Sequence, residues 1–359
     1  MRLLIHVFTV LLVLSTACAT RSERTSLDDS DTLVIEAPNI QLDTLTVPRR
    51  SFTEEKATAG DIAFTADIAL KPMVDALVAN FMATHTRATL RPIYLPAEEA
   101  IATMLASDTI RLAIATRKLT GEETNILGDQ LIIPDYAMVA RDAVVLVTHP
   151  ENPDTSLSES QLREMLTGKI TKWVQINPNS PLNDVTLVLD HQQSGARRFL
   201  QDSLLNGKNL KSERLFALQS AEEVVEYVAT HKGAVGILGW AQLADKDDPS
   251  VQNLKSKIKI VFVDGMRSPD LCPYKPDFFG PYQSFLTTQC YLLGRDVYTI
   301  RREAIFGLGT GFISYMAGYK GQRIIHKLGL GAIKGIPREV KLPPKTDARN
   351  PKTGELIKE

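Results

Sequence analysis

From Val185 to Leu205 the chain reads as a strand that breaks and restarts as a helix. Val185-Thr-Leu-Val-Leu189 is apolar and β-branched, Asp190-His-Gln-Gln193 is polar, and Ser194-Gly195 opens a helical segment. A strand feeding directly into a helix favours a mixed sheet covered by helices, an α/β architecture. The same alternation recurs along the sequence. Ile62-Ala-Phe-Thr65 reads as a strand, and Asp67 can cap the stripe Leu70, Met73, Val74, Leu77, Val78 and Phe81. Leu90–Tyr94 and Arg111–Thr116 are further extended runs around a helix from Ala97 to Leu105. Thr120 with Glu123, and Ser158 with Gln161, have capping-box spacing, and Ser220 with Glu223 caps one more helix. Met138–Val147, Gly233–Gly239 and Ile258–Val263 read as buried strands. Phe306–Ala317 and Lys320–Leu328 read as the closing helices, the second ended by Gly329.

The helix start at Ser194 also carries a chemical signal. Ser194 is a good N-cap, and Gly195 removes a side chain where a ligand would approach the backbone. Arg197 and Arg198 follow in the first turn, the unfavourable end of the helix dipole for a cation, at up to about 1 kcal/mol each. An anion among the N–H groups reverses that cost. A capped surface helix with two solvated arginines is the plain alternative.

At 359 residues the chain suits two domains. Its 44% hydrophobic and 23% charged residues are a globular composition, and a net charge of −1 gives no general reason to expect nucleic acid. Arg2, the apolar run Leu3–Leu14 and Ser15-Thr16-Ala17-Cys18 form a secretory signal too short to span a bilayer. Cys18 after small residues resembles a bacterial lipoprotein cleavage site, so residues 1–18 are expected to be a signal peptide with Cys18 lipidated. Residues 19–59 are polar and charged and read as a disordered tether. Residues 346–359 read as a solvated basic tail.

Of three cysteines, Cys272 and Cys290 remain as a candidate disulfide in an oxidising compartment, with two buried thiols as the alternative. The six histidines are scattered singly and no metal site is expected.

Seven segments, in order, resemble the phosphate-type periplasmic substrate-binding proteins of ABC transporters, in particular a Bacteroidetes-like lipoprotein branch. They are Ile68–Pro72, Arg111–Glu123, Ala140–Val147, Gln161–Trp173, Ser194-Gly195 before a helix, Ala234–Gly239 and Gly311–Ala317. The resemblance covers roughly residues 60–340. It implies a two-lobed periplasmic binding protein type II fold, each lobe a mixed sheet flanked by helices, with ligand in the cleft between. One lobe would be 60–145 plus 264–345, the other 146–263. Such lobes close by hinge bending.

By the same resemblance the ligand contacts fall on Thr65 and Ala66, on Thr116 and Arg117, and on Ser194, Gly195, Ala196 and Arg197. Arg117 could reach a dianion in bidentate fashion. Asp142, inside an apolar strand, reads as a hydrogen-bonding residue at the hinge, with a ligand acceptor as the alternative. Three positions depart from the family pattern: Asp67 beside the first loop, Ala196 in place of a threonine, and Asp190 where phosphate-specific members carry arginine.

The resulting expectation is a monomeric solute-binding lipoprotein, not an enzyme and without a cofactor. It would capture phosphate or a similar oxyanion for an ABC permease, exported and anchored by lipid to the membrane. A binding-protein scaffold or sensor that has lost phosphate binding is the alternative, favoured by Asp67, Asp190 and Ala196. A surface hydrolase would rest on His191 and Asp190 beside Ser194. Three residues of one loop rarely reach the geometry of a nucleophile, base and orienting acid, and Gly-x-Ser-x-Gly is absent at Ser194.

Overall fold

The computed structural model describes residues 25–26, 56–302 and 306–335. The signal peptide, Cys18, most of the tether and the basic tail lie outside them. In chain order the first elements are β1 (Thr25–Ser26), β2 (Ala59–Asp67), α1 (Lys71–Thr84), β3 (Arg87–Leu95) and α2 (Ala97–Ala106). Next come β4 (Leu112–Ala115), α3 (Gly121–Asp129), β5 (Asp135–Thr148), β6 (Ser156–Leu157) and α4 (Glu159–Leu166). They are followed by β7 (Thr186–Leu189), α5 (Gly195–Ser203), β8 (Leu215–Ala217), α6 (Ala221–Thr230), β9 (Ala234–Gly239) and α7 (Pro249–Ser256). The last are β10 (Lys259–Ile260), β11 (Phe262–Val263), α8 (Gln283–Thr287), β12 (Gly294–Arg301), α9 (Leu308–Ala317) and α10 (Tyr319–Lys327).

The main sheet runs β1-β8-β7-β9-β5-β12-β4-β2-β3. Its two flanks are parallel: β2 pairs with β3 and β4 on one side, and β7 pairs with β8 and β9 on the other. Parallel strands covered by helices on both faces are apolar throughout, and β4 and β9 are buried along their whole length. The flanks meet at β5. Its first part, Asp135–Ala143, is antiparallel to β12; its last part, Val144–Thr148, is antiparallel to β9. This one strand therefore belongs to both halves of the sheet.

The helices form where spacing and caps favour them. α1 has Pro in its first turn and buries Met73, Val74, Leu77, Val78 and Phe81. Phe81 packs edge-on against Phe312 and Tyr315 of α9. Thr120/Glu123 and Ser158/Gln161 both form full capping boxes, opening α3 and α4. Asp67 caps the short 3₁₀ turn Ile68–Leu70 and not α1 itself, accepting from the Ala69 N–H at 3.0 Å.

Three features differ from the sequence expectation. Thr25–Ser26, within the span read as a tether, pair with β8. The run Ile258–Val263 is not one strand: Ile260 pairs with Val147 of β5, while Val263 pairs with Leu157 of β6. The chain there crosses from the end of one strand to the next. β12 was not anticipated at all, because charged residues interrupt its apolar positions; it is the central strand beside β5.

Cys272 and Cys290 form a disulfide with Cα atoms 4.9 Å apart, closing the long connection before β12. Replacing both by serine is expected to lower unfolding free energy by about 2–4 kcal/mol, read as a reduced urea midpoint. An unchanged midpoint would show that the crosslink does not constrain the unfolded chain.

Candidate functional site

The start of α5 sits where the two halves of the sheet face each other. The Ser194 hydroxyl accepts from the Ala196 N–H at 3.1 Å, fixing the first turn. Gly195 is there for close approach. A Cβ on it would lie 2.8 Å from Asp67 Oδ2, 3.0 Å from Ala97 Cβ and 3.1 Å from Thr116 Oγ1. Those three residues belong to the other half, so α5 is pressed end-on against β2, α2 and the end of β4. A cavity of about 230 Å³ adjoins this contact, lined by Ala97, Thr116, Gly195, Phe199, Arg295 and Tyr298 among others.

Beneath it lies a buried ion pair that the sequence reading missed. Arg295 of β12 donates from Nε and Nη2 to Asp142 Oδ2 at 3.0 and 2.8 Å. The two side chains are 1% and 0% exposed. They face each other because Arg295 and Asp142 are register partners in the β12/β5 ladder. Arg295 Nη1 also lies 3.4 Å from Thr116 Oγ1. Asp142 Oδ1 accepts from the Ala241 N–H at 2.9 Å, tying the turn after β9 to the shared strand. One clue in the sequence was available: Arg295 shares its strand face with Val297 and Thr299, both β-branched and both fully buried.

Two more carboxylates complete the cluster. Asp67 and Asp190 are 1% and 5% exposed. Asp67 Oδ2 and Asp190 Oδ1 have no hydrogen-bond partner among the described residues. Asp190 Oδ2 has the Gln242 amide 3.5 Å away. Burial pushes the Asp67 carboxyl up to about 6, against the pull of Arg295 and the Ala69 N–H, while Asp190 and Asp142 add to the rise. Burial also raises Asp190, opposed by Ser194 and Arg295.

The other expected contacts are placed as follows. Arg117 lines the cavity, but its donors are all engaged by protein groups. It donates five hydrogen bonds: two to Glu98, two to Glu123 and one to the Lys118 carbonyl. A guanidinium has five donors, so none is left for an anion, and Arg117 acts as a clamp between α2 and α3. Desolvation opposes its charge, but Glu123 and Glu98 outweigh that and raise its pKa. The Thr65 hydroxyl is fully buried and donates to the Ala100 carbonyl at 2.8 Å. Ala66 is fully buried as well. Arg197 Nη1 folds back to the Gln192 carbonyl at 3.1 Å. Arg198 pairs with Asp202 at 2.7 Å and reaches Glu98 of the opposite half at 3.7 Å. Of the expected set, Thr116, Arg117 and Gly195 line the cavity, with Arg295 added, and Ser194 and Ala196 flank Gly195 in the chain.

His191 does not face a reaction centre with Ser194: its Nδ1 accepts from the Gln193 N–H at 3.1 Å within the turn. The described residues contain no group of acidic, histidine or cysteine side chains arranged to hold a metal. No described helix is long and apolar enough to cross a membrane.

Comparison with known proteins decides the family. The model of the PBP (periplasmic binding protein) superfamily domain matches residues 52–319. The chain belongs to the PBP superfamily. Within it, the phosphate-binding protein PstS of Staphylococcus aureus (strain USA300) is 24% identical over 170 residues, 47% of this chain and 51% of that protein. PstS of Staphylococcus saprophyticus is 24% identical over 127 residues, covering 35% and 39%. The chain thus spans about half or less of the length of these curated relatives. Among solved structures, an ABC-type phosphate transport receptor from Vibrio cholerae superposes with a TM-score of 0.58 at 16% identity, over 76% of this chain and all of that one. A phosphate-binding protein from Stenotrophomonas maltophilia gives 0.52 at 15%, over 77% and 91%. These likenesses establish the PBP fold: a mixed α/β sheet with helices, as seen here.

Proposed function

We propose that this PBP-superfamily chain captures phosphate between the two halves of its sheet and delivers it to an ABC permease. The observation that carries this reading is the apposition of the α5 N-terminus with Thr116 and the Arg295 guanidinium across one cleft. A helix N-terminus supplies N–H donors and a favourable dipole for an anion. Thr116 adds a hydroxyl, and Arg295 adds a charge held in place by Asp142. Nothing in this arrangement calls for chemistry on the ligand: it binds and releases. The PstS relatives named above are consistent with phosphate as the load.

The binding units are 60–145 with 264–345, and 146–263, hinged where β5 passes from one half to the other. Ser194, Gly195 and Ala196 approach the anion from one unit, and Thr116 and Arg295 from the other. Asp67 and Asp190 accept rather than donate, which suits a phosphate that still carries a proton. The chain works exported and anchored through a lipid on Cys18, as the leader and the family resemblance suggest.

A ligand that binds only the folded protein stabilises it by RT ln(1 + [L]/Kd), about 4 kcal/mol at a thousandfold excess over Kd. Phosphate at 1 mM is therefore expected to raise the melting temperature clearly, and Thr116→Val with Ser194→Ala to reduce the rise. The scaffold reading, favoured by the two acids in the cleft, predicts no rise with phosphate, sulfate or any other oxyanion.

A further inference from the structure

Asp67 stands at the end of β2 in one half of the sheet, and Asp190 at the end of β7 in the other. Each buries a carboxylate oxygen that has no hydrogen-bond partner among the described residues. Asp67 Oδ2 lies 2.8 Å from where a Cβ on Gly195 would be, and Asp190 meets the neighbouring Ser194 and the field of Asp67. The geometry points to a carboxylate pair, one member from each half, that makes closure of the cleft take up a proton. This rests on the reading above that the two halves open and close, and it deepens that reading without needing phosphate as the ligand.

Among the described residues, the charged and polar groups that face the pair can be named. Arg295 of β12 is the cation, and Asp142 of β5 already neutralises it at 2.8 Å. From α5 come the helix N-terminus and the Ser194 hydroxyl, from the turn after β9 the Gln242 amide, and from the end of β4 the Thr116 hydroxyl. With all three acids ionised, the cluster carries three negative charges against one positive in a space closed to water. An ionised carboxylate buried with one oxygen unpartnered is disfavoured, and the cheapest relief is a proton. Opening the cleft hydrates both groups and removes that need.

The sign follows from where the proton sits. Burial carries the Asp67 carboxyl from 3.8 to about 6 in the closed form. Between those values the closed form holds a proton that a hydrated, open cleft releases. Closure therefore weakens as pH rises through that window, by up to about tenfold per pH unit for each proton, and levels off above it. Because the two acids interact, the proton belongs to the pair. Phosphate keeps a constant charge across most of this window, so a slope there reports the protein.

The test is small-angle X-ray scattering of the ligand-free protein at pH 4.5 and pH 7.5, with circular dichroism to show that it stays folded at both. The wild type is expected to scatter as the closed form at pH 4.5 and as a more open one at pH 7.5. Asp67→Asn, which keeps an acceptor for the Ala69 N–H, and the double variant with Asp190→Asn are expected to stay closed at both. A wild-type profile that does not change with pH overturns the inference. So does a pH-dependent opening that persists in the double variant or, should that fail to fold, in both single variants. Because no phosphate is present, failure here is separate from failure of the melting experiment that tests phosphate capture.

Discussion

Replacing Arg295 by methionine is expected to lower the unfolding free energy by about 3–5 kcal/mol, the cost of leaving a buried carboxylate without its partner. Asp142 is wholly enclosed and its Oδ2 takes two hydrogen bonds from Arg295. With the guanidinium gone, it must stay charged without compensation or take up a proton. Adding Asp142→Asn should recover much of the loss, since the remaining amide is neutral. A urea double-mutant cycle measures this, and two single effects that merely add would show that the pair is not coupled. The same substitution removes the cation that pairs with Asp142 in the cluster of acids, so phosphate binding should weaken even where the protein remains folded.

Gly195→Leu carries the second large effect, and its expected signature differs. The closed cleft leaves no room for a side chain at this position: Asp67 Oδ2, Ala97 Cβ and Thr116 Oγ1 all lie within 3.1 Å of where a Cβ would be. All three belong to the opposite half of the sheet. Opening the cleft relieves the clash, so the melting temperature without ligand should change little. Forcing a side chain into a packed contact costs about 1–3 kcal/mol, which converts to about 5- to 150-fold weaker phosphate binding. Titration calorimetry on the variant and the wild type compares the two. Unchanged affinity would mean that the ligand does not require this apposition.

Much of this fold was legible from local rules, and the failures have specific causes. Capping boxes at Thr120 and Ser158, the apolar stripe of α1 and the strand–turn–helix at Ser194 depend on neighbours in sequence, and the structure forms each of them. β12 depends on partners far away. Arg295 and Asp296 break its apolar pattern because they are satisfied by Asp142, and by Arg267 at 2.7 Å, across the sheet and the long connection before it. Charge satisfied by tertiary contact cannot be told from solvated charge in one sequence. Arg117 is the mirror case. At the end of β4 it had the right place for a ligand contact, but Glu98 and Glu123, both in first turns of helices, converge on it only after folding. Asp67 was readable as a cap, and is one, yet its second oxygen gained its place in the cleft only through α5.

The central claim is that an oxyanion is held between the start of α5, Thr116 and Arg295. Arsenate has the shape and protonation of phosphate and scatters anomalously, so crystals grown with it locate the site directly. The account predicts one strong anomalous peak between Gly195, Thr116 and Arg295, in a molecule closed around it. A peak elsewhere, or none at arsenate concentrations that saturate binding in solution, would contradict it.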